Sequence, residues 1–169
     1  MELVELAELG EDDWAELIDG ESQPWGPGEG LQWREKDHHL GLRADDGRLL
    51  AVGGAVVAEV EVEGSGAFGV VGLGSLFVTR SERASGLASR LFAPLLDLAG
   101  ALGPDRAMLF CRPELVPVYR RVAFAEIAAP VWAAQPGGRV EMPIASMWRS
   151  LHAGADWPPG RVDVRGLPF

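Results

Sequence analysis

From Leu73 to Leu102 the chain reads as an apolar strand, then a loop of small residues, then an amphipathic helix. No other stretch restricts the fold as strongly. The helix is written in Leu87, Leu91, Leu95, Leu98 and Leu102, which recur every three to four positions. Ahead of it, Arg83-Ala84-Ser85-Gly86-Leu87-Ala88 sets small side chains where the first helical N–H groups have no partner inside the helix. Unpaired N–H dipoles and the positive end of the macrodipole coincide at such a start, which therefore receives anions, phosphate above all.

Arg-x-x-Gly-x-Ala directly after the strand Leu76-Phe77-Val78-Thr79 resembles the pyrophosphate loop of the GNAT superfamily of acyl-CoA-dependent N-acetyltransferases. The resemblance continues through a second strand, Ala107-Met108-Leu109-Phe110-Cys111, to Tyr119-Arg120-Arg121-Val122-Ala123-Phe124. That block is similar to the family's Tyr-x-x-x-Gly-Phe, with Ala123 in the glycine position. The matched regions run from Leu73 to Ile127. The resemblance implies an α/β (α+β) fold, a twisted and mostly antiparallel central sheet flanked by helices, with acetyl-CoA as co-substrate. It implies a pyrophosphate resting on the backbone N–H groups of Arg83, Ala84, Ser85, Gly86, Leu87 and Ala88, and a pantetheine arm paired with the backbone of Phe77 and Val78 as an added strand would be. Arg83 would add its guanidinium to a phosphate. Tyr119, the only tyrosine, stands where the family often places a general acid for the leaving thiolate.

The sequence departs from the family at two positions. The common asparagine seven residues before the tyrosine is Arg112 here. The C-terminal Asp156-Trp157-Pro158-Pro159-Gly160-Arg161-Val162 resembles the Asp-Trp-x-x-Gly-x-Val of aminoglycoside 2′-N-acetyltransferases, a weaker likeness. Those enzymes carry a glutamate nine residues before the loop arginine, and Gly74 takes its place here. Glu61, Glu63, Glu114, Glu126 and water remain as candidate bases. Asp156, Trp157 and the carboxylate of Phe169 at the end of the chain are candidates to replace the missing acidic function. A missing base also keeps open the alternative of a non-catalytic acyl-CoA-binding or sensor module.

Charge narrows the partner. A formal net charge of −10, a single lysine (Lys36) and no basic cluster repel nucleic acid and attract cations. The expected acceptor is a primary amine on a small cationic molecule. No apolar run approaches the roughly 20 residues of a membrane span, and the acidic start lacks the basic region of a signal peptide. A cytoplasmic enzyme is expected, with no membrane partner and with a homodimer left open. At 169 residues the chain reads as an N-acyltransferase domain over residues 1–151, with residues 152–169 an extension packed on it.

Other motifs carry less. Gly64-Ser65-Gly66-Ala67-Phe68-Gly69 spells G-x-G-x-x-G, but it leads into strand residues rather than a helix and reads as a hairpin turn. The lone Cys111 allows no intramolecular disulfide and reads as an inert buried thiol. His38 and His39 are adjacent on a strand and point to opposite faces, so no metal site is expected. Residues 2–6 suggest a first strand and residues 12–18 a helix. Residues 20–30 form a loop around Trp25, which with Trp33 is a candidate for the acceptor wall. A hairpin turns at Asp45-Asp46-Gly47. Glu59, Glu61 and Glu63 share one face of the strand 48–63. Pro94 predicts a kink or an early stop in the main helix. Residues 124–133 and 139–144 suggest a closing strand pair.

Overall fold

The computed structural model describes residues 1–22 and 30–169. Valine-rich sequence with little polar interruption gives two long paired strands, β3 (Leu49–Val62) and β4 (Gly66–Val78), joined by the turn at Gly64 to Gly66. Both Gly64 (φ 79°) and Gly66 (φ 85°) take left-handed backbone, so this part of the G-x-G-x-x-G run serves a hairpin. The remaining strands are β1 (Glu2–Leu6), β2 (His38–Arg43), β5 (Arg106–Cys111), β6 (Ala125–Glu126), β7 (Val131–Gln135), β8 (Gly138–Glu141), β9 (Ala145–Ser150) and β10 (Val162–Val164). Among the described residues they form one sheet in the order β6-β9-β5-β4-β3-β10-β7-β8, with β1 attached through β2 to β3. Only the β4–β5 and β10–β7 pairs are parallel. The sheet is mostly antiparallel, as expected.

One edge of β3 is shared. Its first half pairs with β2, from His38↔Ala55 to Arg43↔Leu49, and its end pairs with β10, Val162↔Val62 to Val164↔Val60. Residues 152–169 thus put a strand inside the sheet, between β3 and β7. Phe169 is 2% exposed and belongs to the apolar cluster of Val56, Val60, Met108 and Val131.

The helices are α1 (Glu11–Ile18), α2 (Leu87–Ala101) and α3 (Val116–Arg120). Helix α2 buries Leu87, Leu91, Phe92, Leu95 and Ala99 on one face of the sheet, against Leu40, Ala55, Leu73 and Leu109. Burying a leucine fully contributes about 1.5–3 kcal/mol, and this stripe holds α2 in place. The helix does not stop at Pro94. That residue lies on a half-exposed flank, where the carbonyl of exposed Arg90, deprived of its usual N–H partner, can meet water.

Two expectations change. The predicted strand 124–133 is broken between β6 and β7, with Pro130 unable to donate to a ladder. Residues 145–150 and 162–164, not assigned from the sequence, form β9 and β10, and β9 covers the outer edge of β5 from Arg106↔Ser150 to Cys111↔Ala145.

Candidate active site

The site begins where β4 and β5 part. Ser75 and Leu76 of β4 together face only Gly53 of β3, and Ser75 sits at φ 51°. A bulge of this kind bends its strand and increases the local twist. The parallel pairing of β4 with β5 ends at Leu73↔Leu109, and past it a cavity of about 660 Å³ opens between the two strand ends. The stretch from Leu73 to Val78 forms one wall, and Leu109 to Arg112 with Tyr119 form the other. Phe77 is 4% exposed and packs with Leu17, Leu49 and Val52.

At the mouth the chain makes a short 3-10 turn, Arg80–Glu82, and then enters α2 through Ala84 (φ 66°) and Gly86 (φ 90°). These two left-handed residues bend the backbone around a common space, and nothing lies within 4 Å of the position a Cβ on Gly86 would take. Ser85 N–H donates to Glu82, whereas the amides of Ala84, Gly86, Leu87 and Ala88 find no acceptor in hydrogen-bonding geometry among the described residues. An open, donor-rich cradle at a helix start fits a pyrophosphate. Leu87 contributes only its backbone, because its side chain is buried in the core.

Arg83 is engaged inside the protein. Its two terminal nitrogens donate to the Glu21 carboxylate at 2.9 and 2.6 Å, and its Nε donates to the Val78 carbonyl at 3.1 Å. The guanidinium carbon lies 5.4 Å from the Phe77 ring centre.

Tyr119 comes from α3, held by Phe92 at 5.8 Å and Phe124 at 6.1 Å between ring centres. Burial, and then the neighbouring Cys111, push its phenol up to about 12, so the hydroxyl is a proton-bearing donor at neutral pH. Cys111 lines the same cavity, and burial pushes its thiol up to about 11. A thiol so rarely ionised is a poor nucleophile.

The carboxylates proposed as bases lie elsewhere. Glu61 pairs with Arg165, Glu114 with Arg112 at 3.6 Å and Glu126 with Arg120, and among the described residues no Asp or Glu lines the cavity. Glu63, at the far end of β3, is also outside it. Asp156 and Trp157 do not line the cavity either, though Phe169 does. Trp33 lines it as expected, and Trp25 lies outside the described residues.

Lys36 was not foreseen. Gly54 and Gly74 face one another across β3 and β4, and the lysine stem crosses both. A Cβ on Gly54 would meet its Cγ at 2.6 Å, and a Cβ on Gly74 would meet its Cε at 2.8 Å and Nζ at 3.1 Å. The ammonium donates to the Arg34 carbonyl at 2.9 Å and enters the cavity. Burial first, and then the Arg34 guanidinium, lower its pKa to about 8, against a smaller opposing effect of Asp37. The signal in the sequence was glycine inside apolar strands, at 53–54 and 72–74, where a bulge or a close approach is the usual reason.

Comparison with known proteins agrees with this architecture. The model of the acetyltransferase (GNAT) family matches residues 5–124. No match was found among curated proteins. Among solved structures, the GNAT family N-acetyltransferase YhbS from Escherichia coli in complex with CoA is 24% identical, with 78% of this chain and 72% of that one covered and a TM-score of 0.52. An aminoglycoside 6′-N-acetyltransferase complexed with coenzyme A is 14% identical, with 92% and 100% covered and a TM-score of 0.60. The ribosomal-protein-S18-alanine N-acetyltransferase of Escherichia coli is 15% identical, with 92% and 97% covered and a TM-score of 0.57. Bulged strand, splayed neighbour, open helix start and, above all, the family match place this chain in the GNAT acetyltransferase family.

Proposed function

We propose that the protein moves an acetyl group from acetyl-CoA to the primary amine of a small molecule that is cationic in solution. The observation that carries this reading is the cavity at the parting of β4 and β5, with an open amide cradle at one end and the Tyr119 hydroxyl in its wall. Acetyl-CoA supplies a thioester carbonyl and a thiolate leaving group. The amides of Ala84, Gly86, Leu87 and Ala88 would hold its pyrophosphate, and the β4 backbone at Phe77 and Val78 would align its amide arm. Tyr119 is suited to hydrogen-bond the departing sulfur. With a phenol near 12 against an ordinary thiol near ~8.5, it stabilises the thiolate more readily than it gives up its proton.

Charge acts at two ranges. The net charge of −10 draws cations to the protein from a distance. Among the described residues, the charged side chains lining the cavity itself are Lys36, Arg83 and Arg112. An amine entering among those cations is pushed toward its neutral, nucleophilic form. The test is CoA release from acetyl-CoA across aminoglycosides, polyamines, amino acids and peptide N-termini. Turnover confined to polycations supports the reading, and turnover confined to acidic amino acids would replace it.

A further inference from the structure

Transfer to an amine that arrives protonated requires a group to take its proton before attack. Among the described residues, the side chains lining the cavity include no Asp, Glu or His. Arg83 and Arg112 carry guanidinium groups that do not deprotonate in proteins. Cys111 and Tyr119 hold their protons more tightly than free thiol and phenol groups do. Among the described side chains of the cavity Lys36 is the remaining proton exchanger, and the fold has made a path for it. Any side chain larger than hydrogen at Gly54 or Gly74 would collide with its stem.

The geometry points to Lys36 as the proton acceptor of the reaction, threaded over the Gly54–Gly74 pair to meet the acceptor amine. This rests on the N-acetyltransferase reading above. A neutral Nζ that donates one N–H to the Arg34 carbonyl keeps a lone pair for the incoming ammonium. The proton moves from R–NH3⁺ to Nζ, and the freed amine pair attacks the thioester carbonyl carbon. The new N–C bond forms as C–S breaks, the bonding pair leaves with sulfur, and the proton then remaining on nitrogen in excess of the amide passes to the thiolate. Lys36 later returns its own proton to solvent, and the sum is R–NH3⁺ plus thioester giving amide, thiol and H⁺.

The groups around Nζ agree with an amine that gives up its proton more readily than a free lysine. On its own segment stand Arg34, Glu35 and Asp37, and on β2 stand His38 and His39. His39 is itself shifted down by burial and by Lys36. Strands β3 and β4 present Gly54 and Gly74 there, and the main-chain carbon of Phe169, which bears the carboxylate that ends the chain, lies 3.4 Å from the Gly74 Cβ position. Among the described residues no carboxylate side chain lies within ion-pair distance of Nζ.

Because Lys36 is the only lysine, lysine labelled with ¹³C at Cε gives one resonance. Its titration midpoint in the acetyl-CoA-free protein is expected near pH 8, well below the ~10.4 of a free lysine. A midpoint at the free value would overturn the proposal. In the second arm CoA release is followed with the panel's fastest alkylamine and with aniline, which is neutral at working pH. Lys36→Met and Lys36→Arg are both expected to lose the alkaline-rising limb of kcat/KM and ~10²–10⁴ in rate with the alkylamine. Loss with aniline should stay under about tenfold, and acetyl-CoA affinity should hold. Equal losses with both amines would make Lys36 a packing residue, and full rescue by Lys36→Arg would make it an anion anchor. Either result removes the proposal. A chain lengthened by two glycines after Phe169 is expected to keep the limb, and losing it with Lys36 intact would assign the proton to a terminal carboxylate instead. If no amine is turned over by the parent, the acceptor reading fails first and this role falls with it, whatever the resonance shows.

Discussion

Glu21 grips both terminal nitrogens of Arg83, and the same guanidinium reaches back to the Val78 carbonyl. Arg83 therefore ties the segment after α1 to the end of β4, directly beside the amide cradle. The sequence assigned this guanidinium to a phosphate. An arginine already paired with a carboxylate serves a phosphate only by giving up that partner.

Two substitutions separate the roles. Arg83→Ala is expected to weaken acetyl-CoA binding by about threefold or less, since half-exposed ion pairs contribute ~0–1 kcal/mol. Glu21→Gln frees the guanidinium and should tighten binding. Calorimetry measures both. A tenfold loss in Glu21→Gln would mean that the pair itself shapes the loop.

Gly86 combines left-handed backbone with open space, so two variants divide strain from charge. Gly86→Ala should cost ~1–3 kcal/mol in thermal unfolding and leave most of the acetyl-CoA affinity. Gly86→Glu adds a carboxylate where the pyrophosphate is placed, and the affinity should fall by about tenfold more, or ~1.4 kcal/mol. Equal affinity in the two variants would move the pyrophosphate elsewhere.

Tyr119→Phe retains the contacts with Phe92 and Phe124 and removes only a hydroxyl that makes no hydrogen bond among the described residues. Stability should change little. Turnover should drop by ~10²–10³, as for the loss of a hydrogen-bond donor to a developing anion, with the Michaelis constant for acetyl-CoA nearly constant. An unchanged kcat would return Tyr119 to the core.

The Lys36 shift also has a stability signature. Its pKa is lower in the folded chain, about 8, than in an unfolded one. Between that value and ~10.4 the unfolded state binds more protons, so this group makes stability rise with pH across the window and penalises folding below it. Lys36→Met should therefore raise the melting temperature at pH 6.5, and the gain should shrink as pH climbs from 8 to 10. Cys111 acts in the opposite direction from about pH 9 upward, because its folded pKa is raised. Repeating the comparison in Cys111→Ala isolates the lysine. A gain independent of pH would show that burial, not charge, sets the difference.

Removing residues 152–169 deletes β10 from between β3 and β7 and takes Phe169 away from Gly72, where its ring fills the space over the glycine. The shortened chain should lose its cooperative thermal transition, followed by circular dichroism. The sequence reads as a domain over residues 1–151 with these residues packed on it, an arrangement in which the shortened chain would still fold. An interior strand makes that outcome unexpected.

Much of the fold was legible because its signals are local. The leucine stripe of α2, the Asp45-Asp46-Gly47 turn and the valine runs of β3 and β4 each declare themselves within a dozen residues. The pieces that escaped depend on distant partners. Strand β10 is three residues long and has no periodicity to read, and it exists because Val62 and Val131 lie on either side of it. Lys36 escaped for the same reason. Its place is set by glycines 18 and 38 residues further along the chain, and a glycine announces room without saying what fills it. The net charge misled in part, since the described acidic side chains lie outside a cavity whose described charged side chains are basic.

The position of β10 also dictates an order of assembly. Val62 must wait for Val162, about a hundred residues later, before its outer edge is covered. During synthesis the loop, α2 and Tyr119 have all emerged while the valine-rich end of β3 and the flank of β7 remain open ladders, the kind of edge that recruits other chains. Late strand insertion at such sequence separation is slow. The vulnerable moment of this protein is thus the interval before β10 arrives, and aggregation of nascent chains, or of chains nicked ahead of β10, should begin at Val60–Val62.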